Sequence, residues 1–274
     1  MKNLNLFTIS IAGLPVTLDL SGCASCTQER IFEHYNAFRA PHQETLFTVR
    51  IQTESGSAFI PFHESSVWQI RTRESNGCVE FESHLEKGWI NRRTGQAELT
   101  LRDNSDPENF LRVLYAWLCL EHEGLLLHSS GVVRNGKGYA FFGPSGSGKT
   151  TITRLAQDHT ILSDDLVIIR KKNGRFYLYG VPFRGDLPEA PRTNASADLA
   201  GLFMLVKDTQ HRVELVSISE SIARLSACAP FVMAQFSNTS TVLSLCQDLA
   251  RQVPVKALHF QKNDGFWRVI DELE

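Results

Sequence analysis

The eight residues Gly143-Pro144-Ser145-Gly146-Ser147-Gly148-Lys149-Thr150 constrain this 274-residue chain more than any other stretch. They fit the G-x-x-x-x-G-K-[ST] phosphate loop at every fixed position, a loop built between a buried strand and the start of a helix. Both flanks are present. Gly138-Tyr139-Ala140-Phe141-Phe142 reads as a short buried strand, and Thr151-Ile152-Thr153-Arg154-Leu155-Ala156 opens a helix. The glycines let the backbone curl around an anion, and its N–H groups, the lysine and the hydroxyl surround a triphosphate and its Mg²⁺. Residues 143–151, through Thr151, are therefore the expected nucleotide-binding set. Within it, Lys149 bridges the β- and γ-phosphates and Thr150 gives its hydroxyl to the metal.

Composition narrows what surrounds this loop. A formal charge of −2 offers no basic excess for nucleic acid or an anionic membrane. No stretch reaches the apolar length of a bilayer span. Leu20-Ser21-Gly22-Cys23 resembles a lipoprotein cleavage box, but the preceding Phe7-Thr8-Ile9-Ser10-Ile11 alternates instead of running apolar. That stretch reads as a β-hairpin around Ala12-Gly13-Leu14-Pro15, and the protein is expected to be soluble and cytoplasmic. Four of the six cysteines (Cys78, Cys119, Cys228 and Cys246) stand alone and read as free thiols of a reducing compartment. Cys23 and Cys26 form a single C-x-x-C without a second pair and read as a loop.

The two halves of the chain follow different patterns. Residues 1–104 read as a β-rich domain, with strands expected over 4–11, 16–20, 46–52, 67–73, 78–83, 88–92 and 97–102. Asn76-Gly77 and Thr94-Gly95 supply turn signals. His34, His42, His63 and His84 lack metal-ligand spacing. At Asp103-Asn104-Ser105-Asp106-Pro107-Glu108 the composition shifts, and Ser105 or Asp106 can cap a helix with Pro107 in its first turn. Residues 105–274 then read as an α/β phosphate-loop domain with a mixed sheet flanked by helices, giving an α+β chain overall. Its strands are expected over 125–133, 138–142, 161–163, 166–170, 176–179, 201–206, 213–216 and 255–260. Its helices are expected from Lys149 to near His159, and over 219–228, 239–251 and 264–273.

Phosphoryl transfer asks a protein mainly for positioning and charge stabilisation. An acidic residue at the end of an apolar strand completes such a site, and Asp164-Asp165 arrive there 15 and 16 residues after Lys149. Successive strand side chains point to opposite sides, so one carboxylate can serve Mg²⁺ while the other takes a hydroxyl proton. His128 lies on the strand just before the phosphate-loop strand.

Leu127-His128, the loop with Lys149-Thr150, and Leu162-Ser163-Asp164-Asp165 together resemble the HPr kinase/phosphorylase superfamily, whose active site is similar to that of phosphoenolpyruvate carboxykinase. The resemblance covers residues 125–170 well, 170–274 loosely and the first hundred not at all. It implies an active-site histidine at His128 near the transferred phosphate, the acid/base at Asp165, and a metal ligand at Asp164 beside Thr150. The family's Glu-Ile-Arg-Gly-like signature is matched only by Pro182-Phe183-Arg184-Gly185-Asp186, which keeps Arg-Gly but lacks the acidic ligand. Arg184 is the expected transition-state clamp, since arginine presents a fork suited to phosphate oxygens. Arg192 and Arg212 are weaker candidates.

The implied activity is an ATP-dependent kinase acting on a serine-type hydroxyl of a protein, peptide or small molecule. The competing reading is a non-catalytic ATP-binding module whose β-rich half binds a partner. The expected cofactors are ATP and Mg²⁺. A homo-oligomer is allowed, and neither nucleic acid nor membrane is a partner. Gln261-Lys262-Asn263-Asp264 resembles the N-K-x-D box of GTPases, but glutamine replaces the asparagine and no switch-type segments accompany it, so ATP is favoured.

Overall fold

Two-residue turns set most of the local connections. Asn135-Gly136 and Asn173-Gly174 both adopt left-handed backbone at each position, with φ of 52° and 76° in the first and 50° and 79° in the second. Only asparagine and glycine take this conformation cheaply, and it matches the right-handed twist of the strands it joins. The computed structural model describes residues 5–41, 44–62, 68–185, 187, 193–232 and 236–273, with nothing said of the side chains of 236 and 237. They divide into two compact units, Met1–Tyr115 and Ala116–Glu274.

In the first unit, strands β1 (Leu6–Ile11), β2 (Leu14–Gly22), β3 (Phe47–Thr53), β4 (Ile70–Ser75), β5 (Cys78–Ser83), β6 (Glu86–Asn91) and β7 (Gln96–Leu101) form one sheet in the order β1-β2-β3-β7-β6-β5-β4. The hairpin expected at Ala12-Gly13 is there, with Ile11 facing Leu14. A helix, α1 (Ser25–Tyr35), was not expected. It buries Thr27, Ile31 and Tyr35 on one face. It also carries the chain across the sheet, so β3 pairs parallel to β2. The C-x-x-C is accordingly not a simple loop. Cys26 is exposed on α1, whereas Cys23 is buried with its thiol on Ile51 O and its pKa lifted by burial to about 11. A thiol held protonated in this way is a poor metal ligand.

Helix α2 (Glu108–Glu121) begins where the sequence placed it, but its cap is different. Ser105 gives its hydroxyl to Arg102 O, and Asp106 takes the Tyr35 hydroxyl. The capping acceptor is Glu86, whose carboxylate takes Phe110 N–H at 2.8 Å and Asn109 Nδ2 at 2.6 Å. Glu86 is far upstream in sequence, so no local rule could have found it.

The second unit contains β8 (Gly124–Arg134), β9 (Lys137–Phe142), α3 (Lys149–Leu155), β10 (Thr160–Ser163), β11 (Leu166–Lys172), β12 (Arg175–Tyr179), β13 (Ser196–Lys207), β14 (Arg212–Leu215), α4 (Ile218–Ala227), α5 (Phe236–Gln252), β15 (Val255–Phe260) and α6 (Phe266–Asp271). The sheet is mixed: β13 runs parallel to β9 and β15, and the remaining pairs are antiparallel. The pairings close a circuit β8-β11-β12-β13-β9 and back to β8. Inside it, a Cβ on Gly131 would lie 2.7 Å from Val167 Cγ1. The β9-α3-β10 crossover places β10 parallel to β9, with β8 interposed between them. Helix α3 ends at Leu155, earlier than the sequence suggested. Phe141, Phe203, Phe260, Phe266 and Trp267 pack together under the phosphate loop. Each such buried side chain contributes on the order of 1.5–3 kcal/mol.

Glu86 makes the stability of the first unit pH-dependent. It is almost fully buried, and burial lifts its carboxyl from 4.5 to about 8 against the two hydrogen bonds that favour the ionised form. Since the folded pKa exceeds the unfolded one, its contribution is full below about pH 4.5 and is lost as pH rises through about 8. The thermal midpoint should therefore fall between pH 5 and pH 8.5, and Glu86→Gln should flatten that fall. A variant with the wild-type slope, measured by thermal unfolding across this range, would show that Glu86 is not the titrating group.

Candidate functional site

The phosphate loop closes on itself before any ligand is considered. Ser147 N–H donates to Pro144 O at 3.0 Å, forming a tight turn. Gly148 adopts a φ of 114° and lies so close to Phe260 that a Cβ would sit 2.6 Å from its Cζ. Glycine is required there on both counts. The Lys149 side chain folds back over the loop, its ammonium 3.0 Å from Gly143 O and 3.4 Å from Pro144 O. Ser147 Oγ is buried with no hydrogen-bond partner among the described residues. A buried hydroxyl without a partner costs free energy, and an anion seated in the loop would accept from it.

Two strands bring the other candidates to the loop. Ser129 of β8 faces Phe142, the last residue of β9, so His128 lies level with the start of the loop. On its other edge β8 pairs with β10, whose register shifts between Ile161 and Ser163, and then with β11; Ser163 faces Gly131 and Leu166 faces His128. Asp164 and Asp165 occupy the break between them. Ser163 Oγ accepts the amides of Asp165 at 3.3 Å and Leu166 at 3.2 Å, which holds the break open.

The two carboxylates of this bend then diverge. Asp165 Oδ1 lies 2.8 Å from His128 Nε2, and both side chains are partly open to solvent. Asp164 points inward, is 3% exposed, and accepts Gly185 N–H at 3.3 Å and Leu187 N–H at 3.0 Å. Burial raises its pKa, the two amides lower it, and the charge of Asp165 raises it further. Through these bonds Asp164 ties down the Arg184-Gly185 segment. Arg184 itself is exposed, one residue from the carboxylate pair. Asp186, Pro188, Pro191 and Arg192 lie outside the described residues, as do His42 and His63. Arg212 is engaged with Asp208 and with Glu214.

Sequence reasoning missed three contributors. Ser163 and Gly185 sit within quoted motifs, yet their roles emerge only from contacts. The third, Cys228, follows α4. Its carbonyl accepts His128 N–H at 2.7 Å, and its thiol takes an N–H bond from Gly143. Burial raises the thiol pKa despite the nearby Lys149. An isolated cysteine gave no signal of this. The first unit carries a cleft of about 1050 Å³ on the outer face of its sheet. Arg73 faces Glu80 there and Arg71 faces Glu82, so opposite charges oppose one another across strands, as on an ordinary solvated face. His34, Asp106 and Glu108 form the one metal-capable cluster among the described residues, and His34 already bridges the two carboxylates. No helix among the described residues is long and apolar enough to cross a membrane.

Against known proteins, the family described as SynChlorMet cassette protein ScmC matches residues 108–273. No curated protein matches the chain. Among solved structures, the HPr(Ser) kinase/phosphatase from Coxiella burnetii aligns at 9% identity and a TM-score of 0.29, covering 54% of this chain and 95% of that one.

The contact between Gly185 and the carboxylate pair is directly testable. A Cβ at 185 would lie 2.5 Å from Asp164 Oδ2 and against Asp165 Cβ. Gly185→Ala should lower stability by about 1–3 kcal/mol, the usual cost of overpacking. Unchanged thermal and denaturant unfolding would mean that residues 184–187 do not pack on the pair as described.

Proposed function

This chain belongs to the family of SynChlorMet cassette protein ScmC, and we propose that it is an ATP-dependent phosphotransferase that moves the γ-phosphoryl group onto a hydroxyl. The acceptor is a serine-type hydroxyl of a protein, peptide or small molecule. One observation carries this reading: Asp165 is held 2.8 Å from His128 at the sheet edge that bears the phosphate loop. A module that only binds nucleotide needs phosphate and metal ligands. It has no use for a partly exposed carboxylate oriented by an imidazole, whereas proton removal from an acceptor does. The motif resemblance to the HPr kinase/phosphorylase superfamily points the same way.

In the proposed reaction Asp165 accepts the proton of the acceptor hydroxyl. The freed oxygen bonds to the γ-phosphorus as the bond to the β–γ bridging oxygen breaks, and ADP leaves with that electron pair. His128 orients the Asp165 carboxylate. Lys149, drawn off the Gly143 and Pro144 carbonyls, and the Arg184 fork offset the charge on the phosphate oxygens. The Thr150 hydroxyl and the Asp164 carboxylate are hard oxygen donors suited to Mg²⁺, and each Asp164 oxygen that accepts an amide retains a second lone pair. Bound there, Mg²⁺ would supply neutralising charge at the β- and γ-phosphates.

MgATP should raise the thermal midpoint, because a ligand that binds only the folded state opposes unfolding. Lys149→Ala should remove most of that shift, and an undiminished shift in the variant would rule out phosphate binding by the loop. Asp165→Asn should keep the MgATP shift yet lose about 10²- to 10⁴-fold in transfer rate, the usual worth of a positioned base. Transfer from [γ-³²P]ATP to peptides, free serine and an HPr-type protein provides the assay. If Asp165→Asn labels at the wild-type rate the base assignment fails, and the binding-module reading takes its place. The HPr-type protein is expected to be the poorest acceptor, since the acidic ligand of the signature is missing before Arg184.

A further inference from the structure

Strands β9, β13 and β15 run parallel and adjacent, so their carboxyl ends open on one edge of the sheet. The phosphate loop leaves this edge from β9, and Gln261-Lys262-Asn263-Asp264 leaves it from β15, two strands away. Phe142 is level with Met204 and Phe260 with Lys207, so β15 ends three residues further out. That offset is about 10 Å at the usual strand rise. The phosphate loop spans it, because Gly148 rests on the Phe260 ring. Residue 261 therefore begins beside the last glycine of the loop.

The backbone of the segment is fixed, while three of its side chains are uncommitted. Asn263 Oδ1 takes Gly265 N–H at 3.0 Å and lies 2.7 Å from His211 Nε2. Asn263 N–H donates to Gln261 O at 2.8 Å, and Asp208 N–H donates to Phe260 O at 3.0 Å. Gln261, Lys262 and Asp264 are exposed, and none has a side-chain hydrogen-bond or ion-pair partner among the described residues. Asp264 stands just before α6, yet α6 has no side-chain cap. The turn needs Asn263 and Gly265, but it does not need a lysine and an aspartate on either side of Asn263.

We propose that Gln261–Asp264 is the nucleobase subsite of this protein and that Asp264 determines its specificity. The inference rests on the nucleotide reading above. A nucleotide whose β-phosphate occupies the loop carries its base one α-phosphate and one ribose away. The Asp264 carboxylate accepts from the amino edge of a purine, and the Lys262 stem offers apolar cover for the ring. Two sources share this chemistry. Guanine presents two adjacent donors, at N1 and the N2 amine, that match two carboxylate oxygens. Adenine presents its N6 amine beside the N1 acceptor.

Calorimetric titration of the full chain with Mg²⁺ and inorganic tripolyphosphate, ATP, GTP or inosine triphosphate tests this. Wild type should bind a purine triphosphate at least about tenfold more tightly than tripolyphosphate, close to 1.4 kcal/mol. Asp264→Ala and the isosteric Asp264→Asn should lose that advantage while their tripolyphosphate affinity stays at the wild-type value. Preference for GTP, with inosine triphosphate weaker, assigns guanine, and preference for ATP assigns adenine. Undiminished purine selectivity in both variants would overturn the subsite and leave phosphate binding standing. Failure of every ligand, tripolyphosphate included, to bind wild type would overturn the nucleotide reading and the subsite together.

Discussion

β8 pairs with β9 along one edge and with β10 and then β11 along the other, and the two residues between those last strands are forced out of the ladder. Ser163 faces Gly131 and Leu166 faces His128 across the break, and within it Asp164 and Asp165 point apart. One carboxylate goes inward to two backbone amides, and the other goes to His128. Ser163, by taking both amides of the turn, keeps the break from closing into a regular strand. The site thus depends on a local interruption of hydrogen bonding that the neighbouring strands over-determine.

The same strand carries the constraint to the phosphate loop. His128 gives its amide to Cys228 O, and the Cys228 thiol takes the Gly143 amide, so one main-chain bond and one thiol bond tie β8 and the loop to the residue that follows α4. On the far side, Gly148 rests on Phe260 at the end of β15. A loop gripped at its first and last glycines is ordered in advance, which would lower the cost of the nucleotide binding proposed above. Ser147 Oγ is buried in this loop without a hydrogen-bond partner among the described residues.

The first unit follows a different logic. Its turns and alternating strands are set locally, but its junction with α2 is not. Glu86 reaches the amides at the start of that helix from β6, and Tyr35 and His34 of α1 hold Asp106 beside it. Burial of Glu86 makes the junction sensitive to protonation, in contrast to the apolar packing beneath the glycine-rich loop.

Local chemistry was legible wherever one residue type had to occupy one backbone state. The glycine-rich turn between β9 and α3, the Asn-Gly turns at 76, 135 and 173, the alternating strands, and Asp164-Asp165 at a strand end were all readable from sequence. The divergence of the two carboxylates was expected from strand alternation, whereas they occupy the bend between β10 and β11. Helix α1 was not legible, because Thr27, Ile31 and Tyr35 are the only residues that this 11-residue helix buries and they mark its face weakly. Only the tertiary structure decided which carboxylate meets His128, that Glu86 caps α2, that Gly185 must lack a Cβ, and that Cys228 joins the strand to the loop. Each of these depends on an approach between segments distant in sequence. Backbone preference is encoded residue by residue, whereas those approaches exist only once the strands have paired.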